Sequence, residues 1–236
     1  MNETKAALRE RAWDELERSG EARFPFPPHG RIPNFADAGD AAERLTTTEQ
    51  WEDADVVKAN PDAPQRPVRK RALQDGKTVY MAVPRLDDDK PFLRLDPETI
   101  DDHHRASTIG GSAELGEQVG PAAVEPIDLV VSGSVAVDED GGRVGKGEGY
   151  SDLEFAILRE LGLLDAPTVV TTVHERQVVD RVPVDDHDVP IDLVVTPDRT
   201  IETAHDRERP AGIDWDQLDD DRLTEIPVLN RLDRER

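Results

Sequence analysis

Apolar residues recur along the chain with two periods, one typical of helices and one typical of buried strands. A stripe of apolar residues at four-residue spacing, from Leu8 to Leu16, predicts a helix over 4–19, and Asn2 or Thr4 is its expected cap. The same patterns predict helices over 37–47, 67–74 and 151–161, and strands over 55–59, 78–83, 92–95, 127–137, 168–173, 178–179 and 192–196. Because strands alternate with helices, we expect an α/β fold around a parallel sheet.

Proline and glycine mark the segments that interrupt this pattern. Residues 23–34 contain four prolines, which predicts a loop that wraps over another part of the protein and is a candidate lid. Residues 60–64 form a turn at the carboxyl end of a predicted strand, the edge at which parallel sheets bind ligands. The polar segment 101–120 has no assignable pattern.

The length of 236 residues suits one large domain with an extension. We expect the domain to occupy 1–203 and the extension to occupy 204–236. The extension is mostly polar and charged, and we expect it to dock on the domain through Trp215 and Leu229.

A glycine-rich stretch, 142–152, is the first candidate binding element. Gly145, Gly147 and Gly149 precede a predicted helix, which would aim its positive end at them. Glycines permit left-handed backbone and let a polyphosphate approach main-chain N–H groups. The spacing is neither that of a P-loop nor that of a dinucleotide fingerprint. The residues alone therefore leave two interpretations open, a phosphate cradle and a flexible, charged hairpin.

Two further polar groups are candidate ligand contacts. Lys5 and Arg9 are four residues apart and share one face of the first predicted helix, a pattern that is also common on a solvated face. The segment 185–188 reads Asp-Asp-His-Asp. Its carboxylates suit Mg²⁺, although aspartates are equally common in ordinary turns.

Charge composition narrows the functional classes. The chain has 52 acidic and 29 basic residues, a formal net charge of −23, and the acidic residues are spread along its whole length. This distribution is typical of a halophilic protein, in which salt screens the repulsion between carboxylates; an ordinary acidic protein is the alternative. It disfavours nonspecific binding to nucleic acid. Because the chain has no cysteine, no membrane-length apolar stretch and no signal-like N-terminus, we expect a cytoplasmic protein without disulfides.

Four segments carry a shared pattern in this order: Lys5 with Leu8-Arg9, Val83-Pro84-Arg85, the stretch from Gly142-Arg143 to Tyr150-Ser151-Asp152, and His187-Asp188-Val189-Pro190-Ile191-Asp192 leading into Val194-Val195-Thr196-Pro197. Together they resemble those of the 5-formyltetrahydrofolate cyclo-ligase family, the methenyltetrahydrofolate synthetases. The glycine stretch and the His-Asp segment are specific as a pair.

The resemblance implies a single three-layer α/β domain of the CoA-transferase-like type, with a mostly parallel central sheet. It implies ATP and Mg²⁺ as cofactors and a one-carbon folate as substrate. We expect a monomer or homodimer with no membrane as partner, and the net charge disfavours a nucleic-acid partner. In the family's reaction the formyl oxygen of 5-formyltetrahydrofolate attacks the γ-phosphate. N10 then closes the ring, and phosphate leaves to give 5,10-methenyltetrahydrofolate. This chemistry requires cations and a metal around a polyphosphate.

The resemblance also implies roles for individual residues. Lys5 and Arg9 would contact the phosphates, and the segment from Arg143 to Tyr150 would form their cradle. The implied nucleotide contacts are Lys5, Arg9, Arg143, Gly145, Lys146, Gly147, Gly149 and Tyr150; the implied catalytic residues are Arg143, Lys146 and Tyr150, with Tyr150 facing the substrate; and the implied Mg²⁺ ligands are Asp152 and Asp188, on opposite sides of the site.

Two departures distinguish this chain from many family members. Ser151 replaces a second aromatic residue, and the turn at 60–64 replaces a glutamate that contacts the folate. In these features the chain resembles the methenyltetrahydrofolate synthetase domain-containing branch. Glu148 adds a carboxylate inside the loop, which Lys146, Arg143 or the metal must compensate. The alternative function is a non-catalytic nucleotide- or RNA-linked binding module that keeps the fold.

Overall fold

The structure, a computed structural model, describes residues 3–218 and 220–235. The helices in these ranges are α1 (Lys5–Ser19), α2 (Ala38–Leu45), α3 (Glu49–Glu52), α4 (Arg66–Gln74), α5 (His103–Ala106), α6 (Ile109–Leu115), α7 (Tyr150–Glu160), α8 (Asp220–Glu225) and α9 (Pro227–Glu235). The strands are β1 (Ala22–Arg23), β2 (Asn34–Phe35), β3 (Val56–Ala59), β4 (Thr78–Ala82), β5 (Phe92–Leu95), β6 (Glu117–Val119), β7 (Leu129–Val131), β8 (Ala136–Asp138), β9 (Arg143–Val144), β10 (Thr168–Thr172), β11 (Val178–Val179), β12 (Leu193–Val195) and β13 (Thr200–Glu202). None of these helices combines the length and the apolar character that crossing a bilayer requires.

The main sheet has a parallel centre and antiparallel edges. Within the described residues its order is β13-β12-β10-β7-β3-β4-β5-β6. Every pair from β12 to β4 is parallel, whereas β13, β5 and β6 run antiparallel to their neighbours. Valines dominate the central strands, as expected for a sheet that is covered on both faces.

Alternate residues of each central strand enter different layers. Val130 of β7 packs in one cluster with Phe155 of α7. Leu129 and Val131, on either side of it, pack in another cluster with Leu73 of α4. Side chains alternate across a strand, so the sheet lies between α7 on one face and α2 to α4 on the other. The predicted three-layer α/β fold with a mostly parallel sheet is confirmed.

The first helix follows its predicted pattern. Thr4 caps α1, because its side chain accepts a hydrogen bond from the N–H of Ala7 at 3.2 Å, and Gly20 ends the helix with a φ of 76°. Asn2, the other candidate cap, lies outside the described residues. The apolar stripe of α1 is buried, which fixes the face that the helix turns toward neighbouring loops.

One predicted strand is wrong, although the other predicted elements lie within two residues of the observed ones. The run 127–137 contains two strands instead of one. The first, β7, belongs to the main sheet, and the second, β8, belongs to a separate sheet of order β11-β8-β9. Gly133 lies at the break, where a Cβ atom would be 2.9 Å from Cγ1 of Ile32. The glycine stretch therefore begins in the β8–β9 hairpin and does not directly follow a strand of the main sheet. The segment 101–120, which had no predicted structure, contains α5, α6 and β6.

The segment after residue 203 packs on the α7 side of the sheet. Ile213, Ile226 and Leu229 are buried in the same apolar cluster as α7, and Trp215 is half-buried against it. The N–H of Ile213 also donates to the carboxylate of Glu160 at 3.2 Å. These contacts place the segment beside α7.

Candidate functional site

A cavity of about 1150 Å³ opens at the carboxyl ends of β3, β4 and β7, the edge at which parallel sheets bind ligands. Its wall includes α1, the turn after β3, the glycine stretch, the start of α7, the segment 185–188 and part of 210–222. The candidate lid 23–34 contributes only Ile32. The predicted site residues that line the cavity are Lys5, Arg9, Arg143, Gly145, Lys146, Gly147, Gly149, Tyr150, Asp152 and Asp188, which is the complete predicted set.

The glycine stretch has the conformation of a cradle at the start of a helix. Gly147 and Gly149 have φ of 104° and 73°, and Gly149 is the N-cap of α7. The unpaired N–H groups of the first turn of α7 therefore face the loop. Arg9 donates from Nε to the carbonyl oxygen of Gly145 at 2.7 Å, which ties α1 to the loop. A Cβ atom on Gly147 would lie 3.3 Å from Cζ of Arg9, so the loop and the guanidinium are closely packed.

Lys5 joins α1 to the acidic turn. Its Nζ lies 2.5 Å from Oδ2 of Asp188 and 2.7 Å from Oδ2 of Asp185. The N–H of Asp185 also donates to Oδ2 of Asp188 at 2.7 Å. Hydrogen bonding to Lys5 lowers the pKa of the Asp185 carboxyl. One potential ligand atom from each of Asp185, His187 and Asp188 lies within 4.8 Å of the others.

Arg143 and Asp152 form an ion pair in the cavity wall. Nη2 of Arg143 lies 2.6 and 2.8 Å from the two carboxylate oxygens of Asp152, and Nη1 donates to the carbonyl oxygen of Gly133 at 2.8 Å. The N–H of Val189 donates to Asp152 Oδ1 at 3.3 Å. Asp152 is thus bonded to the start of the segment that follows Asp188. Both Nη atoms of Arg143 therefore donate to oxygens of the chain, and the side chain connects the turn after β7 to α7.

Lys146, Glu148 and Arg222 close the outer side of the loop. Nζ of Lys146 lies 2.8 Å from Oε2 of Glu148, so the loop carboxylate has one of its expected cationic partners. Arg222, from α8, donates from Nη2 to the carbonyl oxygen of Glu148 at 2.7 Å. Its guanidinium carbon lies 4.7 Å from the centre of the Tyr150 ring, a cation–π contact. The C-terminal segment therefore covers one face of the tyrosine that was expected to face the substrate.

The floor of the cavity, formed by residues 60–62 and Glu154, contains buried charge, and Lys58 lies behind it. Lys58 of β3 and Glu154 of α7 form an ion pair with Nζ and Oε2 2.7 Å apart. Burial raises the pKa of the Glu154 carboxyl, and the Lys58 ammonium acts in the opposite direction. Burial likewise raises the pKa of the Asp62 carboxyl. Arg69 is buried behind the floor and holds the turn 60–64 through its carbonyl oxygens, with its pKa lowered to about 10 by desolvation.

Asp62→Asn should become more stable relative to the wild type as the pH rises. Because burial raises the folded-state pKa of Asp62 above 3.8, its contribution to stability is complete below that pH and is lost as the pH rises through the folded pKa. A folded pKa one pH unit above the unfolded pKa corresponds to about 1.4 kcal/mol of unfolding free energy. Urea unfolding of both proteins across the acidic range checks this; a difference in unfolding free energy that is independent of pH would contradict it.

Known proteins share most of the segments that form the cavity wall. The model of the 5-formyltetrahydrofolate cyclo-ligase family matches residues 1–197. The chain belongs to this family. A mouse methenyltetrahydrofolate synthase domain-containing protein is 43% identical over 99% of the chain, and its bovine counterpart is 41% identical over 97%. The chain spans 64% and 62% of the lengths of these two relatives. The resemblance to the domain-containing branch is thereby confirmed.

A solved structure shares the fold of this cyclo-ligase family member. The NMR structure of a 5,10-methenyltetrahydrofolate synthetase from Aquifex aeolicus superimposes with a TM-score of 0.55 and 19% identity, covering 86% of this chain and 95% of the other. At this level of identity the likeness concerns the fold, and it agrees with the mostly parallel sheet described above.

Sequence patterns missed two features at the cavity. Lys58 and Glu154 interrupt an apolar strand and an apolar helix face, a signal that could have marked them as buried. Arg222 lies beyond the family match and far along the chain from Tyr150, so no local pattern could have placed it over that ring.

Proposed function

We propose that the chain catalyses the ATP- and Mg²⁺-dependent cyclisation of 5-formyltetrahydrofolate to 5,10-methenyltetrahydrofolate, with release of ADP and phosphate. The observation that carries this proposal is the convergence of Lys5, Arg9 and the glycine loop on one cavity. The family membership supplies the reaction type. The cavity, at about 1150 Å³, exceeds the usual range for one small ligand and is large enough for two substrates.

The proposed bond changes need no reactant other than 5-formyltetrahydrofolate and ATP. The formyl oxygen bonds to the γ-phosphorus as ADP leaves, N10 bonds to the formyl carbon and gives up its proton to solvent, and the carbon–oxygen bond breaks as phosphate departs. The protein must therefore concentrate positive charge around the phosphates and bring two substrates together.

The loop side supplies groups that suit a polyphosphate. The first turn of α7 offers main-chain N–H groups and the positive end of the helix dipole, and Arg9 and Lys146 stand beside it. Arg143 acts as a positioning residue, because Gly133 and Asp152 engage both its Nη atoms. Tyr150 contacts the substrate from the face that Arg222 leaves open.

The donor chemistry of the acidic turn fits Mg²⁺. Asp188 and Asp152 present carboxylate oxygens to the same cavity, and Mg²⁺ binds such oxygens together with phosphates and water. Lys5 already lies between Asp185 and Asp188, which supports this position as one that favours a cation. Bound Mg²⁺ would offset the charge that develops on the transferred phosphoryl group. We assign Asp188 as the principal ligand, since Arg143 binds both oxygens of Asp152.

Asp188→Ala is expected to raise the Mg²⁺ concentration for half-maximal ATP binding about tenfold or more. Without Mg²⁺, the affinity for ATP should not fall, because the change also releases Lys5 from one of its partners. Calorimetric titration at several Mg²⁺ concentrations measures both. Asp180→Ala, at an exposed position outside the cavity wall, is the matched control. Equal Mg²⁺ dependence in the two variants would contradict the assignment.

A non-catalytic nucleotide-binding module is the second candidate function. Three cations of the site already contact carboxylates of the chain: Lys5 with Asp188, Arg143 with Asp152, and Lys146 with Glu148. The relatives bear the name domain-containing protein and extend beyond this chain. A module of this kind would bind MgATP without turning over the folate.

The charge composition supports a protein that works in a salt-rich cytoplasm. A net charge of −23 spread over the surface destabilises the fold unless salt screens it. Assays therefore belong in molar salt.

The test of the proposed function is ATP-dependent appearance of the methenyl product. The protein is incubated in molar salt with 5-formyltetrahydrofolate and Mg²⁺, with and without ATP, and the absorbance of the methenyl chromophore is followed. We expect a signal only with ATP. Binding of MgATP without any signal would favour the non-catalytic module and overturn the cyclo-ligase proposal.

A further inference from the structure

The floor of the cavity includes Glu154, whose ion pair with Lys58 has no part in the proposed phosphoryl transfer. Lys58 and Glu154 are 2% and 4% exposed, so both side chains are withdrawn from solvent. Nζ of Lys58 lies 2.7 Å from Oε2 of Glu154 and donates to Oδ1 of Asn60 at 2.6 Å. The Lys58 ammonium therefore donates to two acceptors, and neither is Oε1, the second carboxylate oxygen of Glu154.

Oε1 of Glu154 is buried, and the described residues offer it no hydrogen-bond partner. The residue is part of the cavity wall. A buried carboxylate oxygen without a partner is costly, and in native proteins such an atom usually meets a ligand, an ion or an ordered water. Oε1 is a preformed acceptor in the wall of a cavity that is large enough to hold a ligand.

The remainder of the floor is also rich in acceptors and is rigid. The carboxyl of Asp62 is near enough to that of Glu154 to repel it. Arg69 holds the turn in place by donating to the carbonyl oxygens of Asn60 and Asp62 at 2.5 and 3.1 Å. A Cβ atom on Gly133, just after the neighbouring strand β7, would lie 3.2 Å from Oδ2 of Asp62, so the turn after β7 packs closely against this carboxyl. The cavity thus has an acceptor-rich floor and a cationic loop.

We propose that Glu154 is a specificity-determining residue whose Oε1 accepts an N–H hydrogen bond from the 2-aminopyrimidinone edge of the folate substrate. This inference rests on the proposed cyclo-ligase function. The edge presents a ring N–H beside an amino group, and a carboxylate is the matching acceptor. A polyphosphate offers only acceptors on its oxygens and is repelled by such a floor. The floor and the loop therefore favour different parts of the two substrates within one cavity.

Glu154→Gln tests the proposal with little change of shape. The Lys58 ammonium holds the amide oxygen, so the amide N–H₂ replaces the acceptor at Oε1. We expect the Kd of 5-formyltetrahydrofolate, measured by calorimetry in molar salt, to rise about 10- to 100-fold, and the Kd of MgATP to stay within about twofold. A residue that only supported the fold would change both constants together or neither.

A matched pair of ligands isolates the hydrogen bond. A 5-formyltetrahydrofolate analogue without the 2-amino group should bind the wild type about tenfold or more weakly than the parent compound. In Glu154→Gln this preference should largely disappear. The double variant Lys58→Met/Glu154→Leu removes the pair without leaving a lone buried charge, and it should show the same loss if Glu154→Gln does not fold.

The outcomes separate this inference from the function on which it rests. If the wild type binds 5-formyltetrahydrofolate and Glu154→Gln binds it equally well, Oε1 is satisfied by an ordered water and the inference is overturned, while the cyclo-ligase function stands. If the wild type binds MgATP but not 5-formyltetrahydrofolate, the proposed function fails and the inference fails with it.

Discussion

Replacing Arg143 by methionine is expected to abolish ATP-dependent turnover and to lower the free energy of unfolding by about 3 kcal/mol. Arg143 is 5% exposed, and it holds Asp152 and the carbonyl oxygen of Gly133 at the same time. Without it, Asp152 keeps its charge in a half-buried wall, and the glycine loop loses its connection to the β7 turn. Denaturant unfolding and the methenyl absorbance assay measure the two effects.

Two variants control for general effects of removing a guanidinium. Arg143→Lys keeps the charge but has one nitrogen in place of the two that reach Asp152 and Gly133, so we expect it to recover only part of the stability and little of the activity. Arg176→Met removes an exposed arginine that pairs with Glu15 at 2.6 Å, and it should cost less than about 1 kcal/mol. A loss of unfolding free energy in Arg143→Met no larger than that in Arg176→Met would contradict the proposal that Arg143 connects the β7 turn to α7.

Replacing Lys58 by methionine is expected to lower the free energy of unfolding by about 3 to 5 kcal/mol, because it leaves Glu154 buried without its cationic partner. The cost comes from the uncompensated carboxylate and does not measure the worth of the ion pair. Denaturant unfolding in molar salt at neutral pH gives the value.

The double variant Lys58→Met/Glu154→Leu separates the cost of an unpaired buried carboxylate from the net contribution of the ion pair to stability. Since it buries no charge, we expect its stability to return to near that of the wild type or above it. Lys90→Met, at an exposed position, is the control for loss of a lysine as such and should be close to neutral. If Lys58→Met were as mild as Lys90→Met, Glu154 would have another partner in the folded protein.

Most of the architecture could be predicted from the sequence because each central strand and each covering helix carries its own period. The valine runs of β3 and β10 and the four-residue stripe of α1 are local signals, and they gave the correct elements. The break at Gly133 has one local signal, the serines on both sides of the glycine, Ser132 and Ser134, within an otherwise apolar run. The close approach of Ile32, from a distant part of the chain, was not visible in the sequence.

The same distinction between local signals and contacts of distant residues applies to the site. The cations of α1, the glycine loop and the acidic turn were expected from a family resemblance, and the structure brings them to one cavity. Their pairing with each other, such as Lys5 with Asp188, depends on how α1 packs and was not visible in the sequence. Arg222 over Tyr150 and the pair of Lys58 with Glu154 each join distant segments of the chain, and no spacing rule connects them.

The most direct test of the proposed reaction follows the formyl oxygen. The wild-type protein is given 5-formyltetrahydrofolate labelled with oxygen-18 in the formyl group, together with ATP and Mg²⁺ in molar salt, and the released phosphate is observed by phosphorus-31 NMR. We predict one labelled oxygen in each phosphate released, in step with the formation of the methenyl product. Unlabelled phosphate accompanying methenyl product, or product formed without ATP, would contradict the account.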